Sequence, residues 1–154
     1  MRIIIEGADG TGKTTLVKKL AKTYGLDSLN INRYDPNNFN FYLETLKKTN
    51  VIFDRHFIGE MIYPEVFNRK ENLNEEDFEW LLNYARENGI VIIILHTQEE
   101  TLTKRQKPNE YPEVLNNIIE INKRFKEIAE KYFIPLIDVE QINYDDICEL
   151  IEYD

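Results

Sequence analysis

The sequence is poor in cysteine and has no long apolar run. Among the 154 residues Cys148 is the single cysteine, so an internal disulfide is impossible, and no metal-ligand spacing accompanies it. We expect a buried, reduced thiol, as is usual in proteins of the cytoplasm. No stretch approaches the length of a membrane span, and the chain begins with a predicted strand instead of a signal peptide. These absences predict a cytoplasmic protein that does not enter the membrane.

Basic residues are also scarce. The chain has 19 Lys and Arg against 28 Asp and Glu, a net charge of −9. A protein that binds nucleic acid needs a basic face, so we predict no nucleic-acid partner. A small anionic ligand is compatible with this charge if a few basic residues gather at one place. Internal repeats, low-complexity tracts and linkers are missing, so residues 1–154 are expected to form one domain.

Glycine is rare, yet it recurs within one short stretch, GADGTGKT, from Gly7 to Thr14. This stretch matches the phosphate-binding loop (P-loop) pattern G-x-x-x-x-G-K-(S/T). Glycines let the backbone curl so that successive N–H groups point at one anion. Lys13 would reach the β and γ phosphates of ATP, and the Thr14 hydroxyl would hold Mg²⁺.

The alternative is a glycine-rich turn that merely starts a helix. It is disfavoured because the apolar run Arg2–Ile5 predicts a buried strand before the loop and the spacing after it predicts a helix. We therefore predict that the phosphates of ATP bind at Gly7, Asp9, Gly10, Thr11, Gly12, Lys13, Thr14 and Thr15.

Apolar runs alternate with helical patterns along the rest of the chain. Four further strands are predicted, at Leu29–Asn32, Val51–Phe53, Ile90–Leu95 and Ile134–Val139. One continuous helix is predicted from Ile58 through Phe67, and Trp80 is expected in the core. The alternation predicts an α/β fold, a five-stranded parallel sheet with helices on both faces. In such sheets ligands bind at the carboxyl ends of the strands.

Four basic residues follow closely on predicted strands: Lys13, Arg33, Arg55 and Arg105. Any one of them could be an ordinary surface residue. Together, in an acidic protein, they predict an anion site along one edge of the sheet.

The predicted site has the residues that phosphoryl transfer requires, since that reaction depends on positioning and on neutralising charge. Asp54 would hold Mg²⁺; capping the next segment is its alternative role. Arg55 and Arg105 are candidates to bind the incoming anion and the charge that develops during transfer, because a planar guanidinium suits phosphate. Asp35 either takes a proton from a sugar hydroxyl or forms the turn before Pro36, and both roles stay open. A phosphate monoester as acceptor would need no such base.

Three segments resemble the thymidylate kinase and deoxynucleoside kinase group of P-loop kinases. They are EGADGTGKTT from Glu6, Asp-Pro at Asp35, and Asp-Arg-His at Asp54. Members of the group have EGxDGxGKTT, Glu-Pro, and Asp-Arg-Tyr or a similar triplet at these places, and a tyrosine where this chain has Tyr63.

The resemblance implies roles for individual residues. Asp9 would contact the deoxyribose 3′-hydroxyl, and Arg55 would grip the acceptor phosphate. A short lid around residues 97–110 would supply Arg105, because the P-loop itself contains no arginine. In members of the group the segment between the P-loop and the Asp-Arg triplet usually carries the residues that recognise the base. That segment is short in this chain, so the resemblance does not identify the base.

Together these observations predict a kinase that transfers the γ-phosphoryl group of ATP, with Mg²⁺, to a deoxynucleoside monophosphate. Thymidylate is the leading acceptor on the resemblance, which also implies a homodimer. One alternative is a deoxynucleoside kinase acting on a 5′-hydroxyl, and another is a regulatory P-loop NTPase without a small-molecule acceptor.

Several further residues have two possible roles. Glu60 could reach the site, whereas His56 and His96 are expected to be satisfied loop residues. Some aromatic side chains could stack on a base, although the core is the commoner place for them: Phe39, Phe41, Tyr42 and Phe57.

Overall fold

A computed structural model describes residues 1–106 and 112–153 of the chain. The strands are β1 (Arg2–Gly7), β2 (Asp27–Asn30), β3 (Val51–Asp54), β4 (Val91–Leu95) and β5 (Leu136–Ile137). The helices are α1 (Lys13–Tyr24), α2 (Phe39–Leu46), α3 (Tyr63–Val66), α4 (Glu75–Glu87), α5 (Glu99–Arg105), α6 (Pro112–Tyr132) and α7 (Tyr144–Tyr153), with a 3₁₀ helix (Phe57–Met61) between β3 and α3. Within these ranges no helix combines the length and the apolar character needed to cross a bilayer.

The five strands form one parallel sheet in the order β2-β3-β1-β4-β5. The predicted fold class is confirmed. β1 lies at the centre, with β3 on one side and β4 on the other. The loop that leaves β1 therefore stands between the loops that leave β3 and β4, where a parallel sheet opens a crevice for ligands.

Side chains that alternate along β1 bury both faces of the sheet, as the period of two in a strand requires. Ile4 packs into a core that α2, α4 and α6 complete, with Phe78 and Phe125 among its fully buried members. Ile3 and Ile5 pack on the opposite face, against α1 and α7. Helices thus cover both faces, as predicted.

The two edge strands differ from their predicted bounds. β2 occupies Asp27–Asn30 and not Leu29–Asn32, and all four of its residues are exposed. An apolar pattern does not fix the register of a strand that buries neither face. β5 is reduced to Leu136–Ile137, because β4 pairs with these two residues and Asp138 already starts a turn.

The predicted helix from Ile58 through Phe67 is wrong, since the segment divides into the 3₁₀ helix and α3. Pro64 is the physical reason: it has no N–H for an intrahelical bond, and its ring disfavours a preceding helical turn. The prediction that Trp80 lies in the core is also wrong, because its side chain is 47% exposed. It leaves the apolar face of α4 and stacks on Tyr84, with Phe39 against its edge. Cys148 is free, as predicted, but only half-buried.

Candidate active site

The P-loop joins β1 to α1 through glycines that no other residue could replace without strain. Gly7 has φ 148°, and a Cβ there would lie 2.7 Å from the carbonyl oxygen of Leu95. Gly12, with φ 89°, is the N-cap residue of α1. Thr11 is buried, and its hydroxyl donates to the carbonyl of Ala8 at 2.8 Å. These contacts fix the curled backbone that a phosphate group requires.

Asp54, at the end of β3, contacts the last two P-loop residues. Its Oδ1 lies 2.9 Å from Lys13 Nζ, and its Oδ2 accepts a hydrogen bond from the Thr14 hydroxyl at 3.2 Å. Oδ1 is buried and makes no hydrogen bond within the described residues, so its contact with Lys13 is an ion pair alone. A carboxylate beside a hydroxyl is the hard-oxygen donor set that Mg²⁺ prefers. These two residues therefore fit a magnesium ion.

A first pocket, of about 640 Å³, opens on the helix α1 side of the P-loop. We call it the donor pocket. The P-loop provides one wall, through residues that include Gly10, Gly12, Lys13, Thr14 and Thr15. The loop after β5 and the start of α7 provide an apolar and aromatic end with Val139, Ile142, Tyr144 and Ile147. Its shape thus combines an anion cradle with a surface suited to a flat ring.

Arg105 lies at the donor pocket and contacts the P-loop directly. Its Nη1 donates to the carbonyl of Gly10 at 2.8 Å, and its Nη2 to Glu140 Oε1 at 2.5 Å. The side chain of Arg105 therefore contacts the phosphate-binding loop, while the lid predicted around residues 97–110 stays a prediction. Residues 107–110 of that lid lie outside the described residues.

A second pocket, of about 560 Å³, opens on the other side of the P-loop. We call it the acceptor pocket. Asp9 lines both pockets, so the P-loop itself forms the partition between them. The four basic residues predicted to gather at the sheet edge are divided between the two: Lys13 and Arg105 line the donor pocket, and Arg33 and Arg55 line the acceptor pocket.

Arg55 is held at the partition. Its Nη2 forms an ion pair with Asp9 Oδ1, and its guanidinium lies 5.7 Å from the ring centre of Tyr63. Its backbone adopts φ 74°, an unusual value for a residue with a side chain. Burial acts to lower the pKa of Arg55, but Tyr63 and the carboxylates around it act in the other direction, and the net shift is upward. The guanidinium therefore stays charged.

Glu6, the last residue before the P-loop's first glycine, lines the acceptor pocket, and no role was predicted for it. Its Oε1 accepts hydrogen bonds from the backbone N–H of His56 at 2.8 Å and of Gly59 at 3.3 Å. Its Oε2 is buried without a hydrogen-bond partner in the described residues. Burial raises the pKa of this carboxyl to about 7. One signal in the sequence could have identified Glu6: it continues the buried run Arg2–Ile5. A carboxyl group in a buried strand is costly unless it has a hydrogen-bond partner.

Asp35 takes part in a turn. Its Oδ2 accepts a hydrogen bond from the backbone N–H of Asn32 at 2.9 Å, and it lines neither pocket. The sequence left two roles open for Asp35, a base and a turn-forming residue, and in the structure Asp35 forms the turn. Asp54 does not cap the segment after it, because its carboxylate contacts Lys13 and Thr14 instead.

The remaining candidates divide between pocket and core. Glu60 lines the acceptor pocket and accepts hydrogen bonds from Tyr42 at 2.8 Å and Asn72 at 3.2 Å. His56 also lines this pocket; it is buried against Thr45, with 2.8 Å between Nε2 and the hydroxyl oxygen, and burial lowers its pKa to about 3. Of the four aromatic candidates only Tyr42 lines the pocket, and Phe57 is fully buried in the core.

One wall of the acceptor pocket, made of aromatic and apolar side chains, was not predicted from the sequence. Tyr63 and Phe67 stack there with an interplanar angle of 3°, and Ile118 and Ile121 of α6 stand with them in the lining. Arg69 and Lys70 add positive charge. These residues come from segments far apart in the chain, and no local pattern connects them.

Comparisons with known proteins agree with this fold. No protein-family model matches the chain. A probable thymidylate kinase of Methanocaldococcus jannaschii is 26% identical, in an alignment that covers 99% of this chain and 95% of that protein. Among solved structures, the YorR protein of Bacillus subtilis in complex with phosphorylated GDP superposes with a TM-score of 0.82 at 22% identity, covering 99% of this chain and 96% of that one.

A second solved structure is more distant. Deoxyadenosine kinase from M. mycoides, with dCMP and dCDP bound as products, has a TM-score of 0.58 at 20% identity, over 99% of this chain and 96% of that one. The predicted resemblance to the nucleotide and nucleoside kinases is confirmed, and with it the enzyme class that the resemblance implies, a phosphotransferase.

Proposed function

We propose that this protein transfers the γ-phosphoryl group of ATP, with Mg²⁺, to a deoxynucleoside monophosphate. The observation that carries the proposal is the pair of pockets that share Asp9 at their partition. Phosphoryl transfer needs two substrates in line across one short gap. A regulatory P-loop NTPase needs a nucleotide pocket alone, so the acceptor pocket of about 560 Å³ argues against that alternative.

Each charged residue then has a task in a single domain of residues 1–154. Lys13 and the backbone of the P-loop bind the phosphates of ATP, and Thr14 with Asp54 would hold Mg²⁺, which neutralises charge between the phosphates. Arg105, from the lid around residues 97–110, binds the transferring group. Arg55 binds the phosphate of the acceptor from the opposite side of the partition.

Thymidylate is the acceptor that we propose first. The relative from M. jannaschii bears the name of a probable thymidylate kinase, and its alignment covers nearly all of both chains. Arg33, Arg55, Arg69 and Lys70 give the acceptor pocket four cations against the three acids Glu6, Asp9 and Glu60. An excess of positive charge suits a dianionic monophosphate. The resemblance also implies a homodimer, which light scattering would test.

A specific observation favours the alternative, a deoxynucleoside kinase that phosphorylates a 5′-hydroxyl. Such a reaction needs a base, and the Glu6 carboxyl faces the acceptor pocket with a pKa of about 7, close to the value that suits proton transfer at neutral pH. Asp35, the base predicted from the sequence, is engaged in its turn.

The decisive experiment offers purified protein a panel of deoxynucleosides and their monophosphates with labelled ATP and Mg²⁺. We expect transfer to monophosphates, thymidylate foremost. Hydrolysis or binding of ATP without transfer to any member of the panel would overturn the kinase proposal.

Two variants separate the acceptor classes. Glu6→Gln keeps an oxygen for the N–H groups of His56 and Gly59 but cannot take up a proton. With a monophosphate as acceptor its effect on turnover is expected to be mild. If the acceptor is a 5′-hydroxyl, turnover falls by about 10²-fold while ATP still binds. Asp35→Asn is the matched control; a large loss there, and not at Glu6, would make Asp35 the base.

A further inference from the structure

Arg105 is held by a carboxylate to which the proposed reaction gives no task. Glu140, in the loop after β5, accepts a hydrogen bond on Oε1 from Arg105 Nη2, while Nη1 of the same guanidinium donates to the carbonyl of Gly10. One planar group therefore bridges the P-loop and the loop after β5. Because the two contacts use different nitrogens of a rigid fork, together they fix its orientation.

Glu140 is itself fixed from two directions. Its backbone N–H donates to Oδ1 of the buried Asp138 at 2.9 Å, which anchors the turn to the end of β5. Its Oε2 accepts a hydrogen bond from the Thr101 hydroxyl at 3.4 Å, one turn of α5 before Arg105. The carboxylate is therefore placed relative to both elements that flank the donor pocket.

Charge alone allows Glu140 two opposite effects, because an acid beside Arg105 could either orient it or compete with ATP for it. The contacts favour the first. Glu140 does not line the donor pocket, whereas Arg105 does. The carboxylate occupies Nη2 while Nη1 already reaches the loop that binds phosphate. Removing the acid would release the guanidinium from this place.

We propose that Glu140 is a positioning residue: it holds the guanidinium of Arg105 over the P-loop, in the orientation that binds the transferring phosphoryl group. This inference rests on the proposed function, in which Arg105 has that task. Both side chains are partly exposed, 35% for Arg105 and 42% for Glu140, so water screens the pair and its influence is modest compared with that of the arginine itself.

The test is a double-mutant cycle in steady-state phosphoryl transfer with Glu140→Ala and Arg105→Ala. We expect Arg105→Ala to lower kcat by about 10²-fold and Glu140→Ala to lower it by about fivefold. In the Arg105→Ala background, Glu140→Ala should have no further effect, because its partner is gone. Glu140→Gln keeps an acceptor oxygen and should recover part of the loss. Glu100→Ala, which removes an exposed acid of α5 but leaves the contacts of Arg105 intact, should match the wild type.

Two measurements do not depend on an acceptor. The affinity for a fluorescent ATP analogue should be unchanged in Glu140→Ala, and ¹⁵N NMR with ADP bound should show restricted rotation of the Arg105 guanidinium in the wild type and free rotation in the variant. Tighter binding of the analogue with undiminished kcat would show that Glu140 competes with ATP for Arg105, and would overturn the proposal. Equal losses of kcat from Glu140→Ala in the wild-type and Arg105→Ala backgrounds would also overturn it. So would equal rotation of the Arg105 guanidinium in the wild type and the variant. A wild type that transfers to no acceptor defeats the proposed function instead, and the NMR result still decides the role of Glu140.

Discussion

The donor and acceptor pockets share one partition but are built in different ways. The donor pocket takes more than half of its lining residues from the single run Ala8–Leu16, whereas the acceptor pocket draws on β1, the loops after β2 and β3, the segment around α3, and α6. Buried polar atoms without a partner in the described residues also differ between them. Four such atoms belong to residues that line the acceptor pocket, Glu6 Oε2, Arg55 Nε, His56 Nδ1 and Tyr63 Oη, whereas the described residues that line the donor pocket supply none.

This difference indicates that the two pockets bind their substrates in different ways. The described residues that line the donor pocket leave no buried side-chain polar atom without a hydrogen bond, so the donor side needs no ligand to satisfy them. The acceptor side leaves several buried polar atoms unmatched, and such atoms are costly unless a ligand or water satisfies them. We therefore expect changes on the donor side to affect every reaction of the enzyme, and changes on the acceptor side to depend on the acceptor.

The largest expected effect lies on the donor side. Lys13→Met removes the cation that faces the phosphates and also leaves the Asp54 carboxylate without its ion pair. We expect kcat to fall by about 10²–10³-fold with every acceptor, because a preorganised charge at the transferring group is lost. Lys18→Met, which changes an exposed lysine of α1 that lines neither pocket, serves as the control. Initial rates with labelled ATP measure both; a Lys13 variant near wild-type rate would remove the P-loop from the mechanism.

The next effect lies on the acceptor side. Arg55→Gln removes the guanidinium at the partition, which pairs with Asp9. We expect kcat/KM for a monophosphate to fall by about 10²-fold, since a charge-assisted contact with the acceptor phosphate is lost, with a much smaller loss for a nucleoside. Arg33→Gln, which removes a cation from the rim of the same pocket, should cost less. Equal losses for nucleoside and monophosphate would mean that Arg55 does not bind the acceptor phosphate.

The same division explains what the sequence could predict. The strand–loop–helix unit around Gly7–Thr14 is local, and the apolar run of β4 is unambiguous, so these elements and the parallel sheet were predictable. The register of β2 was not, because an exposed edge strand has no buried face to set it. Glu6 was visible as a glutamate ending a buried strand, but its place in the acceptor pocket depends on His56 and Gly59, far away in sequence. The wall made by Phe67 and Ile121 is likewise a product of tertiary packing.

The free energy of unfolding should depend on pH through two buried residues that line the acceptor pocket, Glu6 and His56. The pKa of Glu6 is about 7 in the folded protein against an ordinary 4.5. Its contribution to the stability of the folded protein is therefore fully present below pH 4.5 and is lost as the pH rises towards 7. The folded pKa of His56 is about 3 against an ordinary 6.5, so its contribution is present above pH 6.5 and is lost as the pH falls towards 3. In the shared window the two slopes oppose each other.

Glu6→Gln removes one of these slopes. Relative to the wild type, the unfolding free energy of the variant should therefore rise with pH across the shared window by about 3 kcal/mol, at roughly 1.4 kcal/mol per pH unit. Urea denaturation at a series of pH values measures it, and Glu100→Gln on the exposed start of α5 is the control. Parallel pH profiles for Glu6→Gln and the wild type would show that Glu6 is ionised in the folded protein as it is in the unfolded chain.

The smallest effects should separate the two pockets most cleanly. Phe67→Ala removes a ring from the acceptor pocket, and Tyr144→Ala removes one from the donor pocket. If each ring stacks on a base, each loss should raise one KM by about tenfold, that of the acceptor for Phe67 and that of ATP for Tyr144. Phe67→Leu and Tyr144→Phe test whether bulk or the hydroxyl matters, since Tyr144 also bonds Thr23 at 2.6 Å. If Phe67→Ala raised the KM for ATP as much as that of the acceptor, the P-loop would not be a partition and the two pockets would act as one site.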